Sequence, residues 1–331
     1  MNQKPNIGRR SFLKKSIATA VAAPALVSME ERLLVNSAMA DEVAPPVQPI
    51  ALCKNWTGKI GKVEISRLIC GGNLISGYGH SRDLIYVSNL LKHYFTDEKI
   101  IATWKICEQL GVNTMVAYPG DPNAIRVYKK YREEGGKIQY LAQINPVEKE
   151  LDIAVKQAVF AGASGAFLVG NLGDLWSRDG KIGVIGELIK IIKDNGLIAG
   201  CAGHELRTPM AIEQAGIAPD FYVKTLHNTN YWSTRRPDQT KDVIDNYGCD
   251  NYWCKEPKEV IDFMSKLKRP WIAYKVLAAG AVHPRDGFKY AYENGADFAL
   301  VGMFDFQVHE NITIANRILS GELKRSREWM A

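Results

Sequence analysis

Short apolar runs alternate with longer stretches of helical period along most of this chain. In the longer stretches apolar residues recur at i, i+3 and i+4, which predicts amphipathic helices. Examples of these helices are Asp97–Leu110, Leu151–Phe160, Val184–Asp194 and Pro257–Leu267. The short runs predict strands at Val63–Asn73, Asn113–Tyr118, Gln139–Asn145, Gly165–Asn171, Ile198–His204, Asp220–His227, Trp271–Leu277 and Phe298–Met303.

Eight strand–helix units in one chain predict the α/β class and, within it, a (β/α)8 TIM barrel. An open doubly wound sheet is the alternative. The barrel is favoured because the units number eight and no Gly-x-Gly-x-x-Gly follows the first strand. The predicted barrel domain is residues 56–331. Two insertions, residues 74–96 and 228–256, follow the first and sixth strands, so both are expected over the catalytic face.

The first 40 residues resemble a twin-arginine export signal. Gly8-Arg9-Arg10-Ser11-Phe12-Leu13-Lys14-Lys15 precedes a short apolar stretch, Ile17 to Val27, and Ala38-Met39-Ala40 follows as a small-residue cleavage site. The resemblance implies export of the folded chain by the twin-arginine translocase to the periplasm or another extracytoplasmic space. Residues 41–55, which are rich in proline at their start, are interpreted as a linker.

The net charge of the chain is much smaller when residues 1–40 are left out. The whole chain carries 42 Lys+Arg and 36 Asp+Glu, and residues 41–331 keep 36 and 34 of them, a net charge of +2 instead of +6. That balance excludes a nucleic-acid-binding surface as the main function. The remaining 291 residues suffice for one large core, and no later run is apolar and long enough for a permanent membrane span.

Polar residues follow most of the predicted strands, where barrel enzymes place their chemistry. A small-molecule substrate is therefore expected. For Asn171, and for Asp174 shortly after it, the alternative is a cap for the following helix. Tyr231 and Trp232 are expected to stack on a sugar face, with an ordinary loop core as the alternative. The residues expected to bind hydroxyls or an acid group are Asn73, His80, Arg82, Asp83, Gln143, Asn145 and Asn171.

Two lysines lie inside predicted apolar strands, Lys224 and Lys275. Burial and mutual repulsion would lower their pKa values, which makes a lysine a nucleophile towards carbonyls or a general base. Lys224 is predicted to take that role and Lys275 to lower its pKa. A lysine reaching water from a strand margin is the alternative for both.

Three further residues at strand ends, His204, Glu205 and His227, complete the predicted catalytic set. The histidines are expected to move protons and Glu205 to orient one of them. The same three residues are also the candidate ligands of a divalent metal.

Two parts of the chain each resemble a known protein family. Phe221-Tyr222-Val223-Lys224-Thr225, with Lys275 and Ala279-Gly280 after it, is similar to class I aldolases of the deoxyribose-phosphate aldolase type. That resemblance implies a Schiff-base role for Lys224. Residues 62–73 and 107–114 are similar to the opening strand, first helix and second strand of aldo/keto reductases, which are also barrels.

Glycines after the last two strands, Gly280 and Gly302, are candidate anion-binding positions. The cofactor stays open between none, a divalent metal and a flavin, and a disulfide between Cys249 and Cys254 also stays open. The sequence predicts an exported enzyme of carbonyl chemistry, a lyase or isomerase acting on a small polyhydroxylated, carbohydrate-like substrate. The alternatives are an oxidoreductase that uses a nicotinamide or flavin, and a barrel that binds a ligand without catalysis.

Overall fold

A computed structural model describes residues 48–81, 84, 86–239, 244–246, 249–251 and 253–331 of the chain. Among these residues eight parallel strands close into a barrel, in the order β11-β12-β3-β4-β5-β6-β7-β8. This confirms the predicted (β/α)8 TIM barrel. Its strands are β3 (Leu68–Cys70), β4 (Thr114–Ala117), β5 (Gln139–Ile144), β6 (Gly165–Leu168), β7 (Ile198–Gly203), β8 (Phe221–Thr225), β11 (Trp271–Tyr274) and β12 (Phe298–Val301).

Helices follow the strands of the barrel. Leu151–Phe160 is a helix with the predicted bounds, whereas the helix predicted over Pro257–Leu267 ends at Met264. The helices are α1 (Val87–Tyr94), α2 (Asp97–Gln109), α3 (Pro122–Glu133), α4 (Leu151–Phe160), α5 (Gly170–Arg178), α6 (Ile182–Asp194), α7 (Arg207–Gln214), α8 (Pro257–Met264), α9 (Pro284–Glu293) and α10 (Asp305–Ser320).

The first predicted strand, Val63–Asn73, is divided in the structure. Its start, β2 (Val63–Ser66), pairs with β1 (Thr57–Ile60) in an antiparallel hairpin, and only β3 joins the barrel. The hairpin side chains of Ile60, Val63 and Ile65 lie in the same buried cluster as the barrel interior. One predicted strand therefore covers two elements, because both bury apolar side chains in one core.

Side chains alternate between the two faces of each barrel strand, as strand geometry requires. In β8, Phe221 and Val223 belong to the interior cluster, whereas the Tyr222 hydroxyl, on the opposite parity, donates to Glu213 in α7 at 2.7 Å. A polar residue near the end of a strand can therefore point into the barrel or towards the helices, depending on its place in this alternation.

A buried ionic network closes the amino-terminal end of the barrel. Asp297, fully buried, pairs with Arg327 and accepts hydrogen bonds from the backbone N–H groups of Trp271 and Met330. The Arg67 guanidinium donates to the Asp297 carbonyl and lies 3.8 Å from the centre of the Trp329 ring. The network ties residues near the end of the chain to the base of the barrel.

The two insertions carry local structure of their own. Residues 74–96 include α1, and residues 228–256 include a hairpin of β9 (Ile244–Asn246) and β10 (Cys249–Asn251). In the part of the chain that the structure describes, no helix is long and apolar enough to cross a membrane. The predicted signal, residues 1–40, lies outside the described residues, and so do Arg82 and Asp83.

Candidate functional site

The carboxyl-terminal end of the barrel opens into a cavity of about 360 Å³. Its walls come from strand ends and from the insertion after β3. The described residues that line it include no carboxylate, so the wall is neutral to basic. They are Gly72, Asn73, Ser76, Tyr78, His80, Val116, Ala117, Tyr118, Gln143, Asn145, Val169, Gly170, Asn171, His204, Tyr274 and Lys275.

Strand parity explains why several predicted residues meet in this cavity. Gln143 lies two residues after Leu141, and His204 lies two residues after Ala202, both of which point into the barrel interior. The structure therefore brings together six predicted residues from the carboxyl-terminal ends of β3, β5, β6 and β7: Asn73, His80, Gln143, Asn145, Asn171 and His204. Asn171 lies in the first turn of α5, because β6 ends earlier than predicted, at Leu168.

Lys275 reaches the cavity through an unusual backbone conformation. Tyr274 already points inward as part of the interior cluster, so continued strand geometry would aim Lys275 outward. Lys275 has a φ of 58°, in the left-handed region that residues other than glycine seldom adopt. The strand ends there, and both Tyr274 and Lys275 line the cavity. A strained residue at such a position is consistent with a functional role.

Lys224 is placed elsewhere, against the sequence prediction. It shares the outward parity of Tyr222, is 1% exposed, and does not line the cavity. Its Nζ donates to the backbone carbonyls of His204 at 2.6 Å and of Thr225 at 3.3 Å. Burial lowers the pKa of Lys224, and Lys275 is not among the groups that shift it. The predicted lowering of the pKa of Lys224 by Lys275 is therefore not found.

A histidine–aspartate pair is the best-defined feature of the cavity wall. The Nδ1 atom of His204 lies 2.8 Å from Oδ2 of Asp174, whose side chain is 1% exposed. Asp174 also accepts the backbone N–H groups of His204 and Glu205 and the Thr208 hydroxyl. These bonds fix both the carboxylate and the imidazole, as a buried polar group requires.

The charge states of this pair follow from burial and hydrogen bonding. Burial lowers the pKa of His204 to about 4, although the bond to Asp174 acts in the opposite direction. Burial would raise the pKa of Asp174, but hydrogen bonds from His204 and from backbone N–H groups outweigh it and leave that pKa lowered. At neutral pH the imidazole is neutral and donates from Nδ1, so its Nε2 is a proton acceptor.

The other two predicted catalytic residues have structural partners instead. Glu205 forms an ion pair with Arg178. Nε2 of His227 accepts the backbone N–H of Cys254 at 2.9 Å, and its Nδ1 lies 2.8 Å from the carbonyl of Asn228. His227, 1% exposed, thus fastens the second insertion to β8.

The predicted metal site does not assemble. His204, Glu205 and His227 each have a different partner, and the described residues contain no group of three or more His, Cys, Asp or Glu side chains arranged to hold a metal ion.

Tyr231 and Trp232, which the sequence predicts to stack on a sugar, are not among the described residues that line the cavity. Tyr231 packs edge-on against His227 with ring centres 5.4 Å apart, and Trp232 is 86% exposed. Cys254 is a free thiol in the described part of the structure, and the side chain of Cys249 lies outside that part. The insertion after β3, by contrast, supplies Tyr78 and His80 to the wall.

A second chamber of about 320 Å³ adjoins the first, on the side of β11, β12 and α1. The two chambers share several wall residues, including Asn73, Gln143, Tyr274 and Lys275. Gly280 and Gly302, the predicted anion-binding positions, both line the second chamber. The lysine thus stands at the boundary between the two spaces.

Sequence reasoning missed the partners that give His204 its properties. Asp174, in α5, was recognisable only as a possible helix cap, because the pairing joins residues that are 30 positions apart. Tyr118 and Tyr274 line the cavity and gave no separate signal. A Cβ atom on Gly170 would collide with the Tyr274 hydroxyl and the His204 ring, so this glycine permits their close approach.

Comparison with known proteins gives the fold. No protein-family model matches this sequence, and no curated protein sequence matches it significantly. Two solved structures of proposed aldo-keto reductases from Pseudomonas aeruginosa are similar to it. One has 13% identity and a TM-score of 0.55 and covers 84% of this chain and 100% of its own. The other has 14% identity and a TM-score of 0.52, and the match covers 80% of this chain and 94% of the other. At this identity the likeness establishes that the chain adopts a (β/α)8 barrel fold.

Proposed function

We propose that this chain is an exported barrel enzyme that moves a proton beside a carbonyl group of a small polyhydroxylated substrate, as an isomerase or lyase. The observation that carries the proposal is the buried His204–Asp174 pair in the wall of a cavity that Lys275 also lines. A fixed neutral imidazole is a proton acceptor, and a nearby cation stabilises the negative charge that develops on a carbonyl oxygen.

The surrounding side chains suit a substrate rich in hydroxyl groups. Asn73, Gln143, Asn145 and Asn171 offer amide donors and acceptors, and Tyr118 adds a phenol. A wall with a lysine, two histidines and no carboxylate among its described residues also accepts an acid group on the substrate.

The amine that acts on the carbonyl is proposed to be Lys275, in place of Lys224. Lys275 lines the cavity, whereas the Nζ of Lys224 is held by two backbone carbonyls outside it. Lys275 can act as a charged hydrogen-bond donor or, when neutral, as a nucleophile that forms an imine. Borohydride reduction with bound ketose, followed by peptide mass spectrometry, distinguishes these roles, and a tag on Lys224 would contradict the assignment.

The direct test of the proposal is proton exchange. The folded protein is incubated in D2O with a panel of aldoses, ketoses and sugar acids, and deuterium at the carbon beside the carbonyl is measured by NMR. Exchange by the wild type that is lost in His204→Asn supports the proposal. Ligand binding without exchange in both proteins would instead indicate a binding protein without catalysis.

An oxidoreductase is the second candidate, because the second chamber places Gly280, Gly302 and Lys275 around one space. Glycine turns and a lysine fit a phosphate-bearing cofactor, either a nicotinamide or a flavin, which would supply hydride transfer. Both solved structures reported above are proposed aldo-keto reductases, which is consistent with this candidate. The absorbance spectrum of the purified protein and a fluorescence titration with reduced nicotinamide dinucleotides test it.

Export is proposed from residues 1–40, through the twin-arginine translocase to the periplasm. The support is the sequence alone: Arg9 and Arg10, a short apolar stretch, and Ala38-Met39-Ala40. Replacing both arginines by lysine should trap the unprocessed chain in the cytoplasm, as seen by fractionation and immunoblotting. Equal export of the double variant would contradict the proposal.

A further inference from the structure

The second chamber differs in chemistry from the first. The part of its wall that it does not share with the first chamber is mostly aliphatic and aromatic, and it comes from β12, α1 and the segments around them. Six of its apolar side chains are Leu74, Val87, Leu91, Leu277, Leu300 and Phe304.

The polar side chains in this unshared wall are already engaged within the protein. The Ser81 hydroxyl donates to the Leu84 carbonyl at 3.1 Å, and Oε1 of Gln307 accepts the backbone N–H of Phe304 at 3.3 Å. Among the described residues this wall contains no charged side chain. A strongly hydrated group would lose its water there and gain few side-chain hydrogen bonds in return.

The two chambers share Tyr274 and Lys275 as wall residues, so both spaces border this lysine. A molecule whose carbonyl lies beside Lys275 and whose hydroxyl groups lie among the amides of the first chamber therefore has one end facing the apolar chamber. The chamber measures about 320 Å³, roughly twice the volume of an engineered apolar cavity of about 150 Å³ that binds benzene. An aromatic ring system or a short branched acyl group fits this space.

We infer that the substrate is amphiphilic, with a polyhydroxylated part in the first chamber and a ring-sized apolar substituent in the second. The inference rests on the proposed function for the polyhydroxylated part, whereas the apolar site stands on the chamber itself. Aryl-bearing or acylated sugars that keep an aldehyde or keto group are members of this substrate class, and they are expected to bind more tightly than the corresponding free monosaccharides.

The apolar site can be tested without turnover. N-phenyl-1-naphthylamine, a neutral fluorescent probe, should bind the full-length folded protein with enhanced emission. Val87→Phe, which fills part of the chamber, should weaken that binding about tenfold. Leu90→Phe is the matched control, since Leu90 lies in the same helix, is 58% exposed and does not line the chamber. Circular dichroism checks that both proteins are folded. The apolar site would be overturned if the probe did not bind, or if it bound Val87→Phe and the wild type with equal affinity.

The amphiphilic substrate is tested with paired ligands. Phenyl and methyl β-D-glucopyranoside lack a free carbonyl and serve as unreactive binding analogues. The phenyl glycoside should raise the melting temperature more than the methyl glycoside, and Val87→Phe should abolish the difference. Equal effects of both glycosides on the wild type would overturn the inference. If neither glycoside binds while the naphthylamine probe does, the polyhydroxylated part, and with it the proposed function, fails and the apolar site stands. Displacement of the probe by a reduced nicotinamide dinucleotide or by inorganic phosphate would overturn the inference in favour of a cofactor or anion site.

Discussion

Both ends of this barrel contain polar side chains, but in different arrangements. At the amino-terminal end, Asp297 is surrounded by arginines and backbone donors, and the Arg67 guanidinium packs on Trp329. At the carboxyl-terminal end, amides, phenols, imidazoles and Lys275 line open space. Polar groups that the fold encloses stabilise it, whereas polar groups that border a cavity can also contact a ligand. The comparison separates structural residues from candidate catalytic ones.

The largest effect is expected from His204→Asn, since loss of a general base costs about 10²- to 10⁴-fold in rate. The asparagine amide can still donate to Asp174, so the variant should fold. Deuterium exchange into the substrate measures the loss. Glu205→Gln is the control and should keep nearly full exchange, because Glu205 pairs with Arg178 outside the cavity wall. Equal loss in both variants would contradict the separation of their roles.

Asp297→Ala is expected to lower the free energy of unfolding by about 3–5 kcal/mol, because it leaves buried arginines without their counter-ion. Burial already lowers the pKa of Arg67 to about 10, although Asp297 acts in the opposite direction. Urea unfolding followed by circular dichroism measures the change. The fraction of Asp297→Ala that remains folded should catalyse deuterium exchange into the substrate at the wild-type rate per folded molecule. A stable variant would show that the network at this end adds little.

Stability should fall as the pH drops from about 6.5 to 4. Burial lowers the pKa of His204 to about 4 from 6.5, so in this window the unfolded chain binds a proton that the folded chain does not. The sign is therefore a loss of stability with acid, of at most about 3 kcal/mol. Urea unfolding across this range should give a flatter pH profile for His204→Asn. Identical profiles would contradict a buried neutral imidazole.

The smallest effect is expected from Glu205→Gln on stability. The Arg178–Glu205 pair is partly exposed, with side-chain exposures of 30% and 16%, and such pairs contribute about 1 kcal/mol or less. Thermal unfolding at low and high salt measures it, and the small loss should shrink as salt screens the wild-type pair. A loss as large as that of Asp297→Ala would place Glu205 among the buried structural charges.

The candidate site was only partly predictable. His204, Gln143 and Asn145 could be found because polar residues at the ends of apolar strands gather at one end of a barrel. Lys224 was misplaced because its sequence neighbourhood resembles an aldolase strand, and one position along a strand exchanges the inner face for the outer. His227 was misread because its partners, Cys254 and Asn228, lie in the second insertion, whose course the sequence did not reveal.

By itself the sequence determined the alternation of elements, the eight-stranded barrel and the end of the barrel where polar residues gather. These follow from local periodicity, since burial of one face imposes a pattern on consecutive residues. Only the tertiary structure decided that Asp174 holds His204, that a left-handed backbone turns Lys275 into the cavity, and that an apolar chamber adjoins it. Such features depend on contacts between distant residues and on single backbone angles, which leave no periodic trace in a sequence.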